Sequence, residues 1–351
     1  MGATARSILQ VGLESGYTLG SSTLPTAVAA KRIYPIDSGA KFEKMLTWDK
    51  PDERRYSYEK FFGNIVQLTS EVDWSFKSRF YPDAMLGLLA MAITNNPTVV
   101  TTPLSAPNPA LNTWTFTPAN TTVADTTNNI ATATMELYDG TNGWQHPNCF
   151  LDKLEFSFDA TKEVAVMASG KAYDQVNKGA FSTLTQTLLQ PAEQPLVGAG
   201  ASVYIDAYGT SPGVTQNVDV LNGKISINTG WKSLWTATNT TKFNRLYRGK
   251  RDVQIDLELD FPNTTEYQNF LANNYRYLAI TMNGSLLSAG ATKYYFLTFN
   301  VPVRYESWVI DMASDHVIAK VKAQNYYDAN LGYAFNAVAQ VSSASSAYNL
   351  Y

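Results

Sequence analysis

The 351-residue chain is short of nearly every side chain on which catalysis commonly rests. It holds one cysteine, Cys149, and two histidines, His146 and His316, and only 16% of its residues are charged. A single cysteine excludes an internal disulfide and fits a reducing compartment. No apolar stretch approaches the roughly 20 residues of a membrane-spanning helix. The N-terminus also lacks the apolar core and small-residue cleavage site of a signal peptide, so the chain is expected to be made in the cytoplasm and left unprocessed. Met1-Gly2 opens like a myristoylation site, but that motif needs Ser or Thr where Arg6 stands. The ending Tyr348-Asn349-Leu350-Tyr351 resembles that of an outer-membrane barrel, but such a barrel requires export and is not expected here. Basic excess is missing too: 27 Lys and Arg against 30 Asp and Glu leave a net charge of −3. A broad phosphate-neutralising surface, and with it tight nucleic-acid binding, is not expected.

Aromatic residues, at 13%, are plentiful, and so are Thr, Val, Tyr and Asn. This mixture favours strands joined by turns, so a mainly β protein is expected. The length accommodates two domains of roughly 175 residues, each able to bury about 70% of its unfolded surface without a covalent staple.

Two stretches of the chain are built alike. The first has Gly39, Trp48, the alternating residues Val72, Trp74, Phe76 and Phe80 among Glu71, Asp73, Ser75, Lys77 and Arg79, then Pro82. The second has Gly223, Trp231, the alternating residues Val253, Ile255, Leu257, Leu259 and Phe261 among Asp252, Gln254, Asp256, Glu258 and Asp260, then Pro262. Alternation of period 2 specifies a strand with one buried and one wet face. A proline after each strand starts a helix, where its missing N–H costs nothing, and Asn263 with Glu266 resembles a capping box. Met85, Leu86, Leu88, Leu89 and Met91 in one copy, and Tyr267, Phe270 and Leu271 in the other, would pack that helix on its sheet. Glycine and proline are 43 residues apart in one copy and 39 in the other. This is the pattern of a duplicated domain, and duplication suggests self-assembly.

The expected organisation is an extended arm over residues 1–35, a first domain over 36–180, a linker over 181–200, and a second domain over 201–351 that includes a Ser- and Ala-rich tail. Within the first domain, residues 94–128 are the longest expected loop, with Pro103, Pro107 and Pro109 stopping any regular element. A strand near Ile130–Tyr138, turn signals at Asp139-Gly140 and Asn142-Gly143, and a hairpin of Leu151–Phe158 with Lys162–Ala168 follow.

Motifs for chemistry are weak. His146-Pro147-Asn148-Cys149 offers a nucleophile beside a base, but without a third orienting group, so a loop or core role is expected. His316 with Asp311 and Asp315 reads as ordinary turn chemistry more readily than as a metal site. No cofactor is expected: Gly198-Ala199-Gly200 meets Val203 where a dinucleotide fingerprint needs glycine, and Gly223-Lys224 has Val218 where a P-loop needs one. The seven tryptophans suit core packing better than a sugar-stacking platform. A carbohydrate-binding or adhesion module is therefore the first rival to a structural protein, and a β-rich hydrolase using the carboxylates of Asp252, Asp256, Glu258 and Asp260 the second. The one basic cluster, Lys242, Arg245, Arg248, Lys250 and Arg251, interleaved with Phe243 and Tyr247, suits single-stranded nucleic acid less well than a solvated loop or an acidic neighbouring subunit.

Gly12-Leu13-Glu14-Ser15-Gly16-Tyr17-Thr18-Leu19-Gly20, Pro25-Thr26 and Ile33-Tyr34-Pro35-Ile36, followed by the alternating strand, short helix and closing hairpin, resemble the tail tube proteins of long-tailed bacteriophages, in their duplicated-domain form. The resemblance implies tandem β-sandwich or barrel-like domains whose sheets join across subunits, with the helices outside, and no enzymatic activity. It also implies trimeric rings of pseudo-sixfold symmetry, assembly in the host cytoplasm into the virion tail, and a conduit for double-stranded DNA with no membrane insertion of its own. The implied partners are further copies of the chain, a tape measure protein, and tail terminator or tail-tip proteins. Carboxylates in such a conduit would repel phosphates where lysines would hold them. Asp252, Asp256, Glu258, Asp260, Glu71 and Asp73 are the expected lumen or ring-to-ring face.

Overall fold

The computed structural model describes residues 8–14, 17, 21, 23–49, 66–103, 110–118, 131–139, 142–179, 194–217, 219–237, 240–260, 264–286, 293–312 and 317–342. The protein is mainly β. The elements up to residue 179 are β1 (Ile8–Leu13), β2 (Arg32–Tyr34), β3 (Ser38–Asp49), β4 (Val66–Arg79), α1 (Pro82–Ala92), β5 (Thr98–Thr102), β6 (Leu111–Phe116), β7 (Ala133–Tyr138), β8 (Gly143–Asp159), β9 (Ala165–Ala172) and β10 (Val176–Gly179). After a turn of 3-10 helix at Gly198–Gly200 come β11 (Ala201–Ala207), β12 (Gln216–Asn217), β13 (Val220–Asn228), β14 (Trp231–Leu234), β15 (Arg245–Arg248), β16 (Asp252–Asp260), α2 (Thr264–Leu271), β17 (Arg276–Leu286), β18 (Tyr294–Asp311), β19 (Ile318–Asn325) and β20 (Asn336–Ser342).

The alternation in β4 and β16 does what its period dictates. Val72, Trp74 and Phe76 are buried on β4 and Val253, Ile255, Leu257 and Leu259 on β16, while the polar residues between them face water. Both strands are central in their ladders. β4 lies between β3 and β9, and β16 between β13 and β19, all antiparallel. The same order of pairing recurs further out: β9 continues to β8 and β7, and β19 to β18 and β17, while β1 and β11 pair with β7 and β17. The long strands β8 and β18 each carry a bulge against their partner, between Leu151 and Lys153 in one and between Tyr305 and Ser307 in the other. A bulge bends a strand, which lets one strand serve two sheets.

α1 begins with Pro82 in its first turn and has Asp83 beside it, favourable at the positive end of the helix dipole. Apolar almost all round, it is buried from Met85 to Ala92 and packs on β2, β8, β18 and β20. α2 is more polar and lies on β18, with Tyr267 and Phe270 against Trp308 at ring distances of 5.9 and 6.2 Å. Its Leu271 is exposed, so that residue does not pack on the sheet. Asn263 lies outside the described residues, and the Glu266 carboxylate accepts from Arg276 and from the Tyr305 hydroxyl.

Residues 94–128 are not a loop throughout. The β-branched run Thr98–Thr102 and the alternating Leu111–Phe116 pair as β5 and β6, and β6 also pairs with β20. The prolines fall between the two strands, where they interrupt neither ladder. Of residues 181–200, the last few are packed: Leu196 is fully buried and its backbone bonds to Phe80 and Val164.

Candidate functional site

Like the β6–β20 ladder, the antiparallel ladder between β8 and β13 joins the two sets of strands into a continuous sheet. Its inward side pairs Ile225 with Phe156 and Ile227 with Leu154, all fully buried. On its outward side Glu155 accepts from Ser226 at 3.0 Å and pairs with Lys153 and Lys224, both at 2.7 Å. Burial alone would raise the Glu155 carboxyl, but these partners bring it down to about 2. Gly223 permits the close approach: a Cβ there would lie 2.4 Å from the Phe158 ring.

The sheet that this ladder completes ends on two open edges. Among the described residues, no strand pairs with the outer edge of β3, and none with the edge of β18 beyond Val303 that faces away from β19. These edges carry apolar side chains in solvent, with Met45 45% exposed, Trp48 43%, Val309 55% and Met312 75%. Exposed edges are templates for pairing with another chain, and globular proteins ordinarily cover or charge them.

The wet face of the sheet carries all six of the expected carboxylates. Asp252, Asp256, Glu258 and Asp260 alternate along β16, and Glu71 and Asp73 along β4. They share that face with lysines. Glu258 stands opposite Lys320 and Asp256 opposite Lys322 across β16–β19, while Lys224 stands opposite Asp256 across β13–β16. Lys171 is ion-paired with both Glu71 and Asp73, and Asp252 accepts from Gln324 at 2.5 Å. A concavity of about 630 Å³ along this face is lined by Lys77, Asp159, Lys224, Asp256, Glu258 and Lys320 among others. The surface is therefore charge-balanced. The interleaved lysines were readable in β19, where Lys320 and Lys322 alternate with Ala319, Val321 and Ala323, but their pairing with β16 is long-range and left no local mark.

The basic stretch does not form one patch. Lys242 is ion-paired with Asp174 and lies over the Tyr173 ring. Arg245 and Arg248 are half-buried on β15, where burial lowers the Arg248 pKa, and Lys250 alone of the five is exposed. Arg251 donates to the Ile93 carbonyl at 3.1 Å, with burial and then Arg248 pushing its pKa down. Phe243, midway along the stretch, belongs to a satellite core with Tyr17, Phe150, Trp231 and Leu246.

The opening motif is an anchor. Glu14 is fully buried and accepts from Thr134 at 2.6 Å, from Thr132 at 2.7 Å, and from the Asn148 side chain and backbone at 2.7 and 3.0 Å. Asn148 itself adopts φ 50°, a left-handed conformation that Asn tolerates better than most residues. Tyr17 donates to the Ser21 carbonyl at 3.0 Å and accepts from the Leu246 amide at 3.2 Å. Gly12 has no room for a Cβ, which would meet the Ala29 carbonyl oxygen at 2.3 Å. The family model for phage tail tube proteins matches residues 4–330, taking in this motif and the strands of both stretches.

The chain belongs to the phage tail tube protein family. No curated protein matches it. Tail tube proteins are structural components of the bacteriophage virion, not a family of enzymes. His146 and Cys149, the base and nucleophile that the sequence sets three residues apart, are both buried. His146 is buried and stacks on Phe42 at 3.9 Å, and burial holds its imidazole down to about 4. Cys149 donates to the His146 backbone carbonyl at 3.2 Å, and burial raises its thiol, the opposite of an activated nucleophile. His316 and Asp315 lie outside the described residues, and Asp311 is ion-paired with Lys320 at 2.8 Å. Among the described residues no cluster of potential metal ligands occurs and no helix is long and apolar enough to cross a membrane. The tryptophans are dispersed: Trp74, Trp114 and Trp231 are in cores, and Trp48 is 43% exposed.

Proposed function

We propose that this chain builds the tail tube as stacked rings, each of three chains arranged with pseudo-sixfold symmetry, through which double-stranded DNA passes on ejection into the host. The observation that carries this reading is the recurrence of one ladder order, β3-β4-β9-β8-β7 and β13-β16-β19-β18-β17, within one chain. It supports a tandem duplication with domains at 36–180 and 201–351, a linker at 181–200 and an arm at 1–35. Three chains then supply six similar domains around a closed axis. Closure also removes the open edges of β3 and β18.

The wet face carrying Asp252, Asp256, Glu258, Asp260, Glu71 and Asp73 is assigned to the lumen or to ring-to-ring contacts. Its Lys171, Lys224 and Lys320 are ion-paired with carboxylates, which leaves fewer cations to exchange for DNA counterions and favours passage over binding. The basic residues that remain accessible are assigned to contacts between subunits. The partners are further copies of the chain, the tape measure protein, and tail terminator or tail-tip proteins, with assembly in the host cytoplasm. Negative-stain electron microscopy across a concentration series tests the reading. Six-lobed rings or hollow tubes with three chains per ring are expected, and dispersed monomers throughout would contradict it.

A further inference from the structure

The internal β8–β13 ladder is a template for a contact between chains. Ladder positions fix which residues correspond. Phe42 of β3 stands opposite Trp74, and Trp74 opposite Gly170; Ile225 of β13 stands opposite Ile255, and Ile255 opposite Ala323. Gly170 then meets Leu151 just before the bulge of β8, and Ala323 meets Tyr305 just before the bulge of β18. Phe42 therefore corresponds to Ile225, and Leu151 to Tyr305. Counting along the strands, Phe156 corresponds to Ile310 and Ser157 to Asp311. The covered edges of β13 and β8 have as their counterparts the two open edges of the sheet, on β3 and β18.

Resting on the ring reading above, we infer that the open edge of β18 in one chain pairs antiparallel with the open edge of β3 in the next chain, in the register of the internal ladder. Ile310 then faces Phe42 as Phe156 faces Ile225, and Asp311 faces Lys41 as Ser157 faces Lys224. The chemistry of the two edges suits this arrangement. Ile310 is 38% exposed and Phe42 half-buried, so the contact covers apolar surface on the core side. On the wet side an Asp meets a Lys, an opposite-charge cross-strand pair. The contact is heterologous, joining two different edges, and so propagates around a ring until it closes.

The test uses zero-length carbodiimide coupling of the unmodified chain, which joins an amine to a carboxylate already in contact, followed by peptide mass spectrometry. Within one chain Lys41 and Asp311 are separated by seven ladder spacings, roughly 34 Å along the sheet at about 4.8 Å each. A Lys41–Asp311 linkage in assembled rings, absent from dilute monomer, is the expected result. The Lys320–Asp311 linkage within each chain should form in both fractions and serves as the control. As a second measure, the pair Lys41→Cys and Asp311→Cys should oxidise in rings at least tenfold faster than the out-of-register pair Lys41→Cys and Val309→Cys. Rings that form without the linkage, or that link β3 to β3, overturn the edge pairing and leave the ring reading standing. Failure of the unmodified chain to form rings at any concentration overturns both.

Discussion

Ile225 of β13 stands directly opposite Phe156 of β8, and both side chains are fully buried. The strands on either side of this pair share one continuous hydrophobic core, and α1 is enclosed by strands from both. An interface of this kind does not let two lobes open independently. Ile225→Ala should lower the stability of the whole chain by about 2–5 kcal/mol, the range for truncating a fully buried isoleucine. Urea unfolding monitored by tryptophan fluorescence should show one transition moved to lower denaturant. Two separated transitions would mean that the ladder does not couple the strands it joins.

The Glu14 anchor makes a second prediction. Glu14→Ala strands the donors of Thr132, Thr134 and Asn148 in the core, at a cost of about 2–3 kcal/mol. Glu14→Gln keeps one acceptor and should cost less. Hydrogen exchange should quicken first in β1 and its partner β7, and unchanged protection there would contradict the anchoring role.

Acid should weaken the fold in two separable windows. His146 titrates near 4 when folded and at its ordinary 6.5 when unfolded, so between these values the unfolded chain binds the proton first. Stability therefore falls as pH drops from 6.5 to about 4, by roughly 3 kcal/mol at most, and the loss then saturates. His146→Phe should flatten this limb of a stability-against-pH profile. Glu155, held down to about 2, contributes stability present above 4.5 and lost between 4.5 and 2. Glu155→Gln should flatten only the lower limb.

The balanced wet face predicts that the wild-type chain retains no double-stranded DNA at about 0.15 M salt. Asp256→Lys combined with Glu258→Lys removes the carboxylates facing Lys320, Lys322 and Lys224. This double variant should bind DNA with an affinity that falls steeply with salt. Filter binding on folded protein measures both, and retention by the wild-type chain would contradict the account of the wall.

The strands β4 and β16 were legible in the sequence because each has one wet face, which writes a period of 2 into the residues. α1 was legible from Pro82 and the apolar run after it. β5 and β6 were hidden by Pro103, Pro107 and Pro109, which mark the connection between strands without showing that strands flank it. The wet face was half legible. Its carboxylates lie on strands of strong alternation, whereas the lysines that neutralise them come from β9, β13 and β19 through pairings 100 and 66 residues distant in the cases of Lys171 with Glu71 and of Lys322 with Asp256. The open edges had no local signature, since an edge is defined by which strand fails to arrive.

The most direct measurement is a cryo-electron microscopy reconstruction of tubes grown from the purified chain. Three chains per ring, a sheet running unbroken from β18 of one chain into β3 of the next, and Ile310 opposite Phe42 are the predicted result. Six chains per ring, or edges of β3 and β18 left in solvent, would contradict the account.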